Sequence, residues 1–406
     1  MNMLQPSWVE TANNPEGSFP LNNLAYGVFD DGKGARCGVA IGDFVLDVKM
    51  TRWNSVGIGL FAVPNWNAFM NAGTDIWSRF RAELQDILSA DSSRQDEVTL
   101  IPLSNVELLM PFEVSEYTDF YAGRHHATNV GTMFRGAENA LPPNWLHIPI
   151  GYNGRASSVV VSGTDIRRPY GQLKLPDHDI PVFRPSSRFD IELEIGAIVG
   201  QASQRHISVK EADENIFGYV LLNDWSARDI QAWEYQPLGP FQAKATATTI
   251  SPWIITKAAL EPFRVDTPAR DYALLEHLKD DGPMLYDIEL EIDLTPEGGT
   301  TTTIARTNYK EMYYSSAQQL SHHTSSGCPM RVGDLLGSGT ISGPNKMNRG
   351  SLLELSWGGK EPLTLDDGTV RSFIEDGDLL NLRGFARGNG YIIGFGDCSG
   401  KLLPAQ

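Results

Sequence analysis

Short apolar runs separated by turn-forming residues dominate the chain from about residue 113 onward. Each run is rich in β-branched or aromatic residues and is bounded by turn residues, which is typical of β-strands. The clearest runs are WLHIPIGY, SSVVVSG, IELEIGAIVG, FGYVLLNDW, SPWIITKAAL, YDIELEIDL, LLELSWGG and GYIIGFGD. Strands do not alternate regularly with helical patterns, which argues against a doubly wound sheet or a barrel of alternating strands and helices. The pattern predicts a mainly β fold of the α+β class.

The first part of the chain shows a different pattern. Two β-type runs, LAYGVFD and RCGVAIGDFVLDV, precede TDIWSRFRAELQDILS, in which apolar residues recur at helical spacing. A polar stretch, SADSSRQDEV, follows. Because domains commonly have about 50 to 250 residues, we predict two domains, which comprise residues 1–112 and residues 113–406. The second domain contains one clear helix signal, a capping box formed by Ser208 and Glu211.

Charge and cysteine content narrow the class of protein. The 406 residues carry a formal charge of −17, so nucleic acid and anionic membranes, which attract clustered Lys and Arg, are not expected partners. Cys37, Cys328 and Cys398 are far apart and form neither a zinc spacing nor a disulfide framework. No basic leader precedes an apolar stretch, and no run approaches the ~20 apolar residues of a membrane helix. We expect a soluble cytoplasmic protein.

The segment EYTDFYAGRHHATNVGTMFRG concentrates candidate chemistry. It contains Asp119, Tyr121, His125, His126 and Arg135 within twenty-one positions. Burying so many ionisable groups without partners is costly, and a solvated loop does not need so many aromatic rings. The segment therefore resembles the wall of a site. Adjacent histidines point in different directions, so at most one faces that site, and a structural role for both stays open.

A pair of glutamates in RFDIELEIGAIVG is a candidate for metal binding. Glu192 and Glu194 share one face of the predicted strand. A divalent cation would offset their repulsion, but the pattern alone favours an ordinary strand with a solvated polar face. The same pentapeptide recurs with Glu289 and Glu291. Periodicity cannot decide which pair, if either, binds metal.

Other polar residues lie near this pair in the sequence. Asp224 ends an apolar run, where it is either a ligand or a helix N-cap. With Asp119 and the two glutamates it would provide four carboxylates, a set that suits Mg²⁺ or Ca²⁺ rather than zinc. Lys244 lies among small and apolar residues, as a surface side chain or as a semi-buried charge near anions. The turn GSGTISGPN can expose backbone N–H groups to an anion, although such a turn is more often only tight.

These motifs in this order resemble the fumarylacetoacetase family over nearly the whole chain. The matching segments are YTDFYAGRHHATNVGTMFRG, NWLHIPIGYNGRASSVVVSGT, the first ELE, NDWSARDIQAWEYQPLGPFQAK, GSGTISGP, LLELSW and GYIIGFGDCSGKLLPA. The YGVF and GVAIGD segments resemble the N-terminal domain of the family. The resemblance implies a small SH3-like N-terminal β-barrel and a C-terminal β-roll of mixed sheets. It also implies a homodimer that hydrolyses fumarylacetoacetate to fumarate and acetoacetate, the final step of tyrosine and phenylalanine catabolism.

The resemblance also implies roles for particular residues. It implies that His126 is a general base and that Glu354 is the acid that orients it, while His125 receives no role. It implies that Arg135, Gln231 and Lys244 stabilise the oxyanion. The substrate contacts are Tyr121, Arg135, Tyr152, Gln231, Tyr235, Gly339 and Thr340. The residues around a Mg²⁺ or Ca²⁺ ion are Asp119, Glu192, Glu194, Asp224, Lys244 and Thr248.

Two rival functions stay open at this point. An acylpyruvate hydrolase or an oxaloacetate decarboxylase of the same superfamily also uses carboxylate-bound Mg²⁺, but such enzymes typically lack the N-terminal domain and the Tyr/Arg/His spacing of residues 116–136. A catalytically silent binding or scaffold protein is the second rival. Loss of His126, Glu354 or a metal acid would favour it, and all of them are present.

Overall fold

The architecture is mainly β, as the apolar pattern predicts, in a computed structural model that describes residues 3–406. The strands up to residue 112 are β1 (Tyr26–Asp30), β2 (Arg36–Ile41), β3 (Phe44–Asp47), β4 (Leu100–Pro102) and β5 (Glu107–Leu109). Those that follow, up to residue 199, are β6 (Tyr117–Phe120), β7 (Gly151–Asn153), β8 (Val159–Val161), β9 (Ile166–Arg167), β10 (Tyr170–Leu173), β11 (Val182–Pro185), β12 (Phe189–Asp190) and β13 (Leu193–Val199).

The remaining strands run to the C-terminus, and eight α-helices connect the sheets within the described residues. These strands are β14 (Ile216–Asp224), β15 (Ser226–Ala227), β16 (Thr248–Ile250), β17 (Trp253–Thr256), β18 (Arg264–Val265), β19 (Leu285–Tyr286), β20 (Glu289–Thr295), β21 (Thr302–Asn308), β22 (Leu335–Gly337), β23 (Leu363–Thr364), β24 (Val370–Arg371), β25 (Leu379–Arg387) and β26 (Ile392–Leu403). The helices are α1 (Asn67–Asn71), α2 (Thr74–Leu88), α3 (Arg124–Arg135), α4 (Val209–Asn215), α5 (Arg228–Glu234), α6 (Lys257–Leu260), α7 (Ser316–Thr324) and α8 (Leu352–Leu355).

One large sheet joins the N-terminal and C-terminal parts of the chain. Its strand order is β4-β3-β2-β1-β17-β14-β13-β22-β6-β7, with β5, β8 and β16 attached at its side. The N-terminal strands are antiparallel neighbours, which is consistent with the small SH3-like domain that the resemblance implies. The two parts meet where β1 pairs with β17, through Tyr26 opposite Ile254 and Gly27 opposite Trp253. The N-terminal strands thus extend the sheet that carries the candidate site residues.

A second sheet covers one face of the first. Its order is β21-β20-β25-β26-β9, and β26 pairs in parallel with β9. The sheets touch where Gly384 of β25 faces β14, since a Cβ at Gly384 would lie 2.7 Å from Cδ2 of Leu221. Leu221 and Leu290 are fully buried in this contact region. Strands of the first sheet are thereby buried on both faces.

Local sequence signals predict two of the helices, α2 and α4. The helical spacing in TDIWSRFRAELQDILS corresponds to α2, which buries Phe80, Leu84, Ile87 and Leu88. The capping box at Ser208 is present at the start of α4. Helix α3, which carries both adjacent histidines, was not predicted. Within residues 3–406, none of the helices has the length and apolar character of a transmembrane span.

Candidate active site and divalent-cation centre

Four buried carboxylates meet near the ends of the inner strands β13 and β14 of the large sheet. One oxygen from each of Asp119, Glu192, Glu194 and Asp224 lies within 4.8 Å of the others. Asp119 is on β6, Glu194 on β13 and Asp224 at the end of β14, while Glu192 directly precedes β13. No carboxylate of the four is more than 5% exposed. The structure thus brings together the four acids that the resemblance implies.

The register of β22 allows these acids to approach one another. Gly337 of β22 pairs with Asp119 on one side and with Gly196 on the other. A Cβ at Gly337 would lie 2.6 Å from Asp119 Oδ1 and 3.0 Å from Glu194 Oε2. Only glycine leaves room for both carboxylates at this strand.

The second IELEI segment has a different environment. Glu291 pairs with Arg306 at 2.7 Å and with Arg383 at 2.7 Å, and Glu289 pairs with Arg387 at 3.2 Å. Its acids lie on a polar face with arginine partners. The solvated-face interpretation is therefore correct for β20 but wrong for Glu192 and Glu194, since β13 is an inner strand covered on both faces.

The four buried carboxylates would carry more negative charge than the nearby Lys and Arg side chains offset. Burial, together with the neighbouring Asp224 carboxylate, raises the pKa of Asp119 well above its usual range, and burial with Asp119 does the same for Glu194. Burial also opposes ionisation of Glu192, but nearby cations, Lys244 first, outweigh it and hold its pKa below the ordinary value. The Lys244 ammonium lies 2.5 Å from both Glu192 Oε2 and Asp224 Oδ2.

Unpartnered oxygens show that the residues fit a hard divalent cation. Asp119 Oδ1, Glu194 Oε1 and Asp224 Oδ1 are buried without hydrogen-bond partners, and so is Thr248 Oγ1. Thr248 lies opposite Asp224 in the β14–β16 ladder. Clustered carboxylate oxygens suit Mg²⁺ or Ca²⁺. Lys244 has donors but no acceptor, so it cannot be a ligand of such an ion. Its positive charge instead offsets part of the charge of the carboxylates.

Asp224 is not the helix cap that the sequence left open. It ends β14, and the N-cap of the following helix α5 is Ala227, which makes no side-chain cap bond. Its Oδ2 instead accepts hydrogen bonds from Lys244 Nζ at 2.5 Å and from the Tyr152 hydroxyl at 3.1 Å. The aspartate belongs to the polar site rather than to the helix.

A buried histidine–glutamate pair lies beside the acids. His126 Nδ1 is 2.6 Å from Glu354 Oε2, and both side chains are buried. Glu354 also accepts hydrogen bonds from Asn129, Ser342 and Ser351. Burial alone would raise the pKa of Glu354, but the charge and the hydrogen bond of His126 outweigh it and lower that pKa.

This pairing leaves the other ring nitrogen of His126 directed at the site. Nδ1 faces a carboxylate and therefore carries a proton, so the neutral ring has its lone pair on Nε2. Nε2 lies 3.3 Å from Thr340 Oγ1 and 3.7 Å from Glu192 Oε1. His125 has a different environment, half-buried with Nε2 3.6 Å from Glu311. Of the two histidines, His126 is therefore the one whose ring faces the acids.

One cavity contains the predicted substrate contacts together with His126 and Lys244. The seven contacts are Tyr121, Arg135, Tyr152, Gln231, Tyr235, Gly339 and Thr340. Arg135 lies at the exposed rim, where its guanidinium donates to the carbonyls of Asn139 and Ala140. Gly339 has φ +79 and donates its N–H to Glu194 Oε2 at 2.8 Å. The glycine-rich turn therefore does present an N–H group to an anion, here a carboxylate of the site.

Arg228 is a site residue that the sequence interpretation missed. It lines the same cavity, is 5% exposed, and has Nη2 2.7 Å from Glu192 Oε1. Its Nη1 donates to Gln231 Oε1 at 3.1 Å. The sequence did contain a signal for Arg228, because it is spaced i, i+3 from the predicted substrate contact Gln231 and so shares one helix face with it.

Asp190 holds Arg228 in place. Its Oδ2 accepts from Arg228 Nε at 2.8 Å and from the Leu353 N–H at 3.1 Å. Its Oδ1 accepts from the N–H groups of Ile191 and Leu352. Since Leu352 and Leu353 begin the helix that carries Glu354, one buried carboxylate links the arginine to the support of the histidine.

Comparison with known proteins gives family matches along both parts of the chain. A family model described as Fumarylacetoacetase N-terminal matches residues 22–111, and one described as Fumarylacetoacetate (FAA) hydrolase C-terminal matches residues 116–401. Fumarylacetoacetase of Dictyostelium discoideum is 47% identical over 412 residues, covering 96% of each chain. The human fumarylacetoacetase is 48% identical over 408 residues, covering 96% of this chain and 97% of its own.

Solved structures share the fold at much lower identity. Fumarylacetoacetate hydrolase from Exiguobacterium antarcticum has a TM-score of 0.54 at 17% identity, covering 94% of this chain and 99% of its own. Maleylpyruvate hydrolase from a Sphingobium species has a TM-score of 0.52 at 15% identity, covering 94% and 99%. At this identity the two structures bear on the architecture alone.

Proposed function

The chain belongs to the fumarylacetoacetase family, and on that premise we propose that it hydrolyses a carbon–carbon bond of fumarylacetoacetate to give fumarate and acetoacetate. This reaction is the final step of tyrosine and phenylalanine catabolism. The observation that carries the proposal is the buried His126–Glu354 pair, whose free ring nitrogen faces the cavity that Asp119 and Glu192 of the acidic centre also line. A silent binding protein would have no need of an oriented base beside such a centre.

His126 begins the reaction by activating water. Its Nε2 takes a proton from a water molecule while Glu354 holds Nδ1–H and stabilises the imidazolium that forms. The resulting hydroxide oxygen bonds to one carbonyl carbon of the β-diketone, and the carbonyl π electrons move to oxygen. When that oxyanion collapses, the carbon–carbon bond breaks and its electron pair leaves with the acetoacetate part. The proton on His126 then returns to the departing carbon, so atoms and charge balance.

Cationic and amide donors stabilise the oxyanion. Arg228, Gln231 and Lys244 line the cavity from α5 and from the turn that follows it. Donors held in place before reaction stabilise developing charge without reorganising. Arg135, for which the resemblance implies an oxyanion role as well, lies at the exposed rim, and we assign it to a substrate carboxylate only.

The substrate carboxylates bind to polar side chains that line the cavity. The hydroxyls of Tyr121, Tyr235 and Thr340 donate hydrogen bonds to them, and Arg135 adds charge. Asp119, Glu192, Glu194, Asp224 and the Thr248 hydroxyl would hold a divalent cation, Mg²⁺ or Ca²⁺, which when bound supplies Lewis-acid stabilisation of negative charge on the substrate oxygens.

We also propose a cytoplasmic homodimer with a domain division at residue 112. Sedimentation velocity tests the dimer, and limited proteolysis near residue 112 tests the division. A monomer at micromolar concentration, or a chain that resists cleavage there while other loops are cut, would contradict these points. Neither outcome bears on the chemistry of the site.

The decisive experiment is a substrate assay with purified protein and added Mg²⁺ or Ca²⁺. Fumarylacetoacetate should be consumed with loss of its ultraviolet absorbance, and fumarate and acetoacetate should appear in equal amounts. Acylpyruvates and oxaloacetate serve as competitor substrates in parallel. Brisk acylpyruvate cleavage or oxaloacetate decarboxylation without consumption of fumarylacetoacetate would overturn the proposal.

A further inference from the structure

A short loop, residues 235–240, forms one wall of the substrate cavity. Tyr235, Leu238, Gly239 and Pro240 all line that cavity. The side chain of Leu238 is 93% exposed, so the middle of the loop projects away from the protein body. The position of this wall therefore depends on how the two ends of the loop are held.

Glu234 joins those two ends. It is the last residue of α5, and its carboxylate accepts three backbone N–H groups from the far side of the loop. Oε1 accepts from Phe241 at 2.9 Å and from Ala243 at 2.7 Å, and Oε2 accepts from Gln242 at 3.1 Å. Within residues 3–406, no other side chain hydrogen-bonds to the backbone of residues 235–243. Bonds to an ionised acceptor are stronger than neutral ones, so this carboxylate is the main polar tie.

The reacting centre has a separate anchor. The turn Gln242–Lys244 carries Lys244, whose ammonium is held by its own ion pairs with Glu192 and Asp224. Glu234 does not line the cavity. Loss of the Glu234 contacts would thus loosen the wall more than it would move Lys244.

We infer that Glu234 is a positioning residue, which closes the loop 235–240 and so sets Tyr235 and the apolar wall against the substrate. The inference rests on the proposed function for its kinetic part. The number of acceptor oxygens that each substitution leaves predicts a graded loss of the loop contacts, smaller for glutamine than for alanine. Glutamine keeps one acceptor oxygen but directs an NH₂ group at an N–H donor, while alanine removes all three bonds.

The test compares Glu234→Ala and Glu234→Gln with the unmodified protein. Because the wall contributes to binding in the ground state and the transition state alike, KM for fumarylacetoacetate should rise about tenfold in Glu234→Ala and about threefold in Glu234→Gln, while kcat changes less than about threefold. Chymotrypsin should cut the loop after Leu238 or Phe241 roughly fivefold faster in Glu234→Ala, as local opening becomes easier.

Glu83→Gln is the matched control. Glu83 lies on α2 in the N-terminal part, is buried, and accepts backbone N–H groups from Asn54 at 2.9 Å and Ser55 at 2.8 Å. The Glu83→Gln variant therefore loses the same kind of contact between a carboxylate and a loop backbone, but at a place away from the cavity. KM and cleavage of residues 235–243 should stay within about twofold of the unmodified values in this variant.

Two results would overturn the inference. One is a KM within about twofold of the unmodified value in Glu234→Ala together with unchanged cleavage of the loop. The other is an equal rise in KM in the Glu83 control. Cleavage is measured without substrate, so it still tests Glu234 if fumarylacetoacetate proves not to be the substrate, and Glu234→Gln serves if the alanine variant does not fold.

Discussion

His126 Nδ1 and Glu354 Oε2 lie 2.6 Å apart although 228 positions separate the two residues in the chain. The histidine lies on α3 and the glutamate on α8, and both are buried beside the acidic centre. The carboxylate keeps the proton on Nδ1 and leaves Nε2 free to accept one from water. A general base requires such a pairing rather than either residue alone, and we propose that role for His126.

Replacing His126 by alanine should lower kcat by about 10²- to 10⁴-fold, the usual contribution of a general base. Cation binding should persist, because the four acids are unchanged. His125→Ala is the control, since His125 is half-buried beside Glu311 and takes no part in the dyad. Steady-state kinetics and calorimetric titration with Mg²⁺ check both variants. Near-normal turnover in His126→Ala would remove His126 as the base.

Glu354→Gln should change the acid stability of the protein in a defined direction. The folded pKa of Glu354 is lowered, so ionised Glu354 stabilises the fold above the unfolded value of about 4.3, and this contribution disappears as the pH falls through the folded pKa. The difference in free energy of unfolding between the unmodified protein and Glu354→Gln should shrink as the pH falls from about 6 to about 3. Urea unfolding across this range checks it, and a difference independent of pH would contradict it.

The two IELEI segments should respond differently to the same substitution. Glu192→Gln should weaken Mg²⁺ or Ca²⁺ binding by about tenfold or more, because it removes a buried anionic oxygen from the centre. Glu289→Gln, whose carboxylate pairs with Arg387 on the other sheet, should leave the dissociation constant unchanged. Titration calorimetry gives both values. Equal weakening in the two variants would mean that the acids of β13 are not the binding site.

Asp190→Asn should lower both stability and turnover. Its carboxylate is fully buried and pairs with buried Arg228, and breaking such a pair costs about 3–5 kcal/mol. Turnover should fall as well, because Arg228 and the start of α8 lose a shared anchor.

Asp47→Asn is the matched control for Asp190. Asp47 is fully buried in the N-terminal part, pairs with Arg36 Nε, and accepts the N–H groups of Lys49 and Met50. Its loss should lower the free energy of unfolding but leave kcat unchanged. If both variants lower kcat equally once folded, Asp190 has no special link to the site.

The sequence interpretation missed helix α3, and the reason is tertiary. The segment contains Gly131 and β-branched or polar residues, which are poor helix formers. In the structure a Cβ at Gly131 would lie 1.8 Å from the Ala140 carbonyl oxygen, so close packing requires the glycine despite its cost to the helix. Arg228 was missed because its importance comes from Asp190 and Glu192, partners that are distant in sequence.

Local periodicity and motifs read in order were enough to assign the mainly β class, helix α2, the capping box of α4 and the family. The burial of one IELEI segment and the partial exposure of the other depend on tertiary packing. Both segments have the same alternation, but β13 lies between two neighbouring strands and is buried along its whole length, while the acids of β20 face arginines. The resemblance already assigns the base to His126 rather than His125, but the physical basis of that choice is tertiary, since the direction of a side chain depends on the helix and on Glu354, which folding brings from 228 residues away.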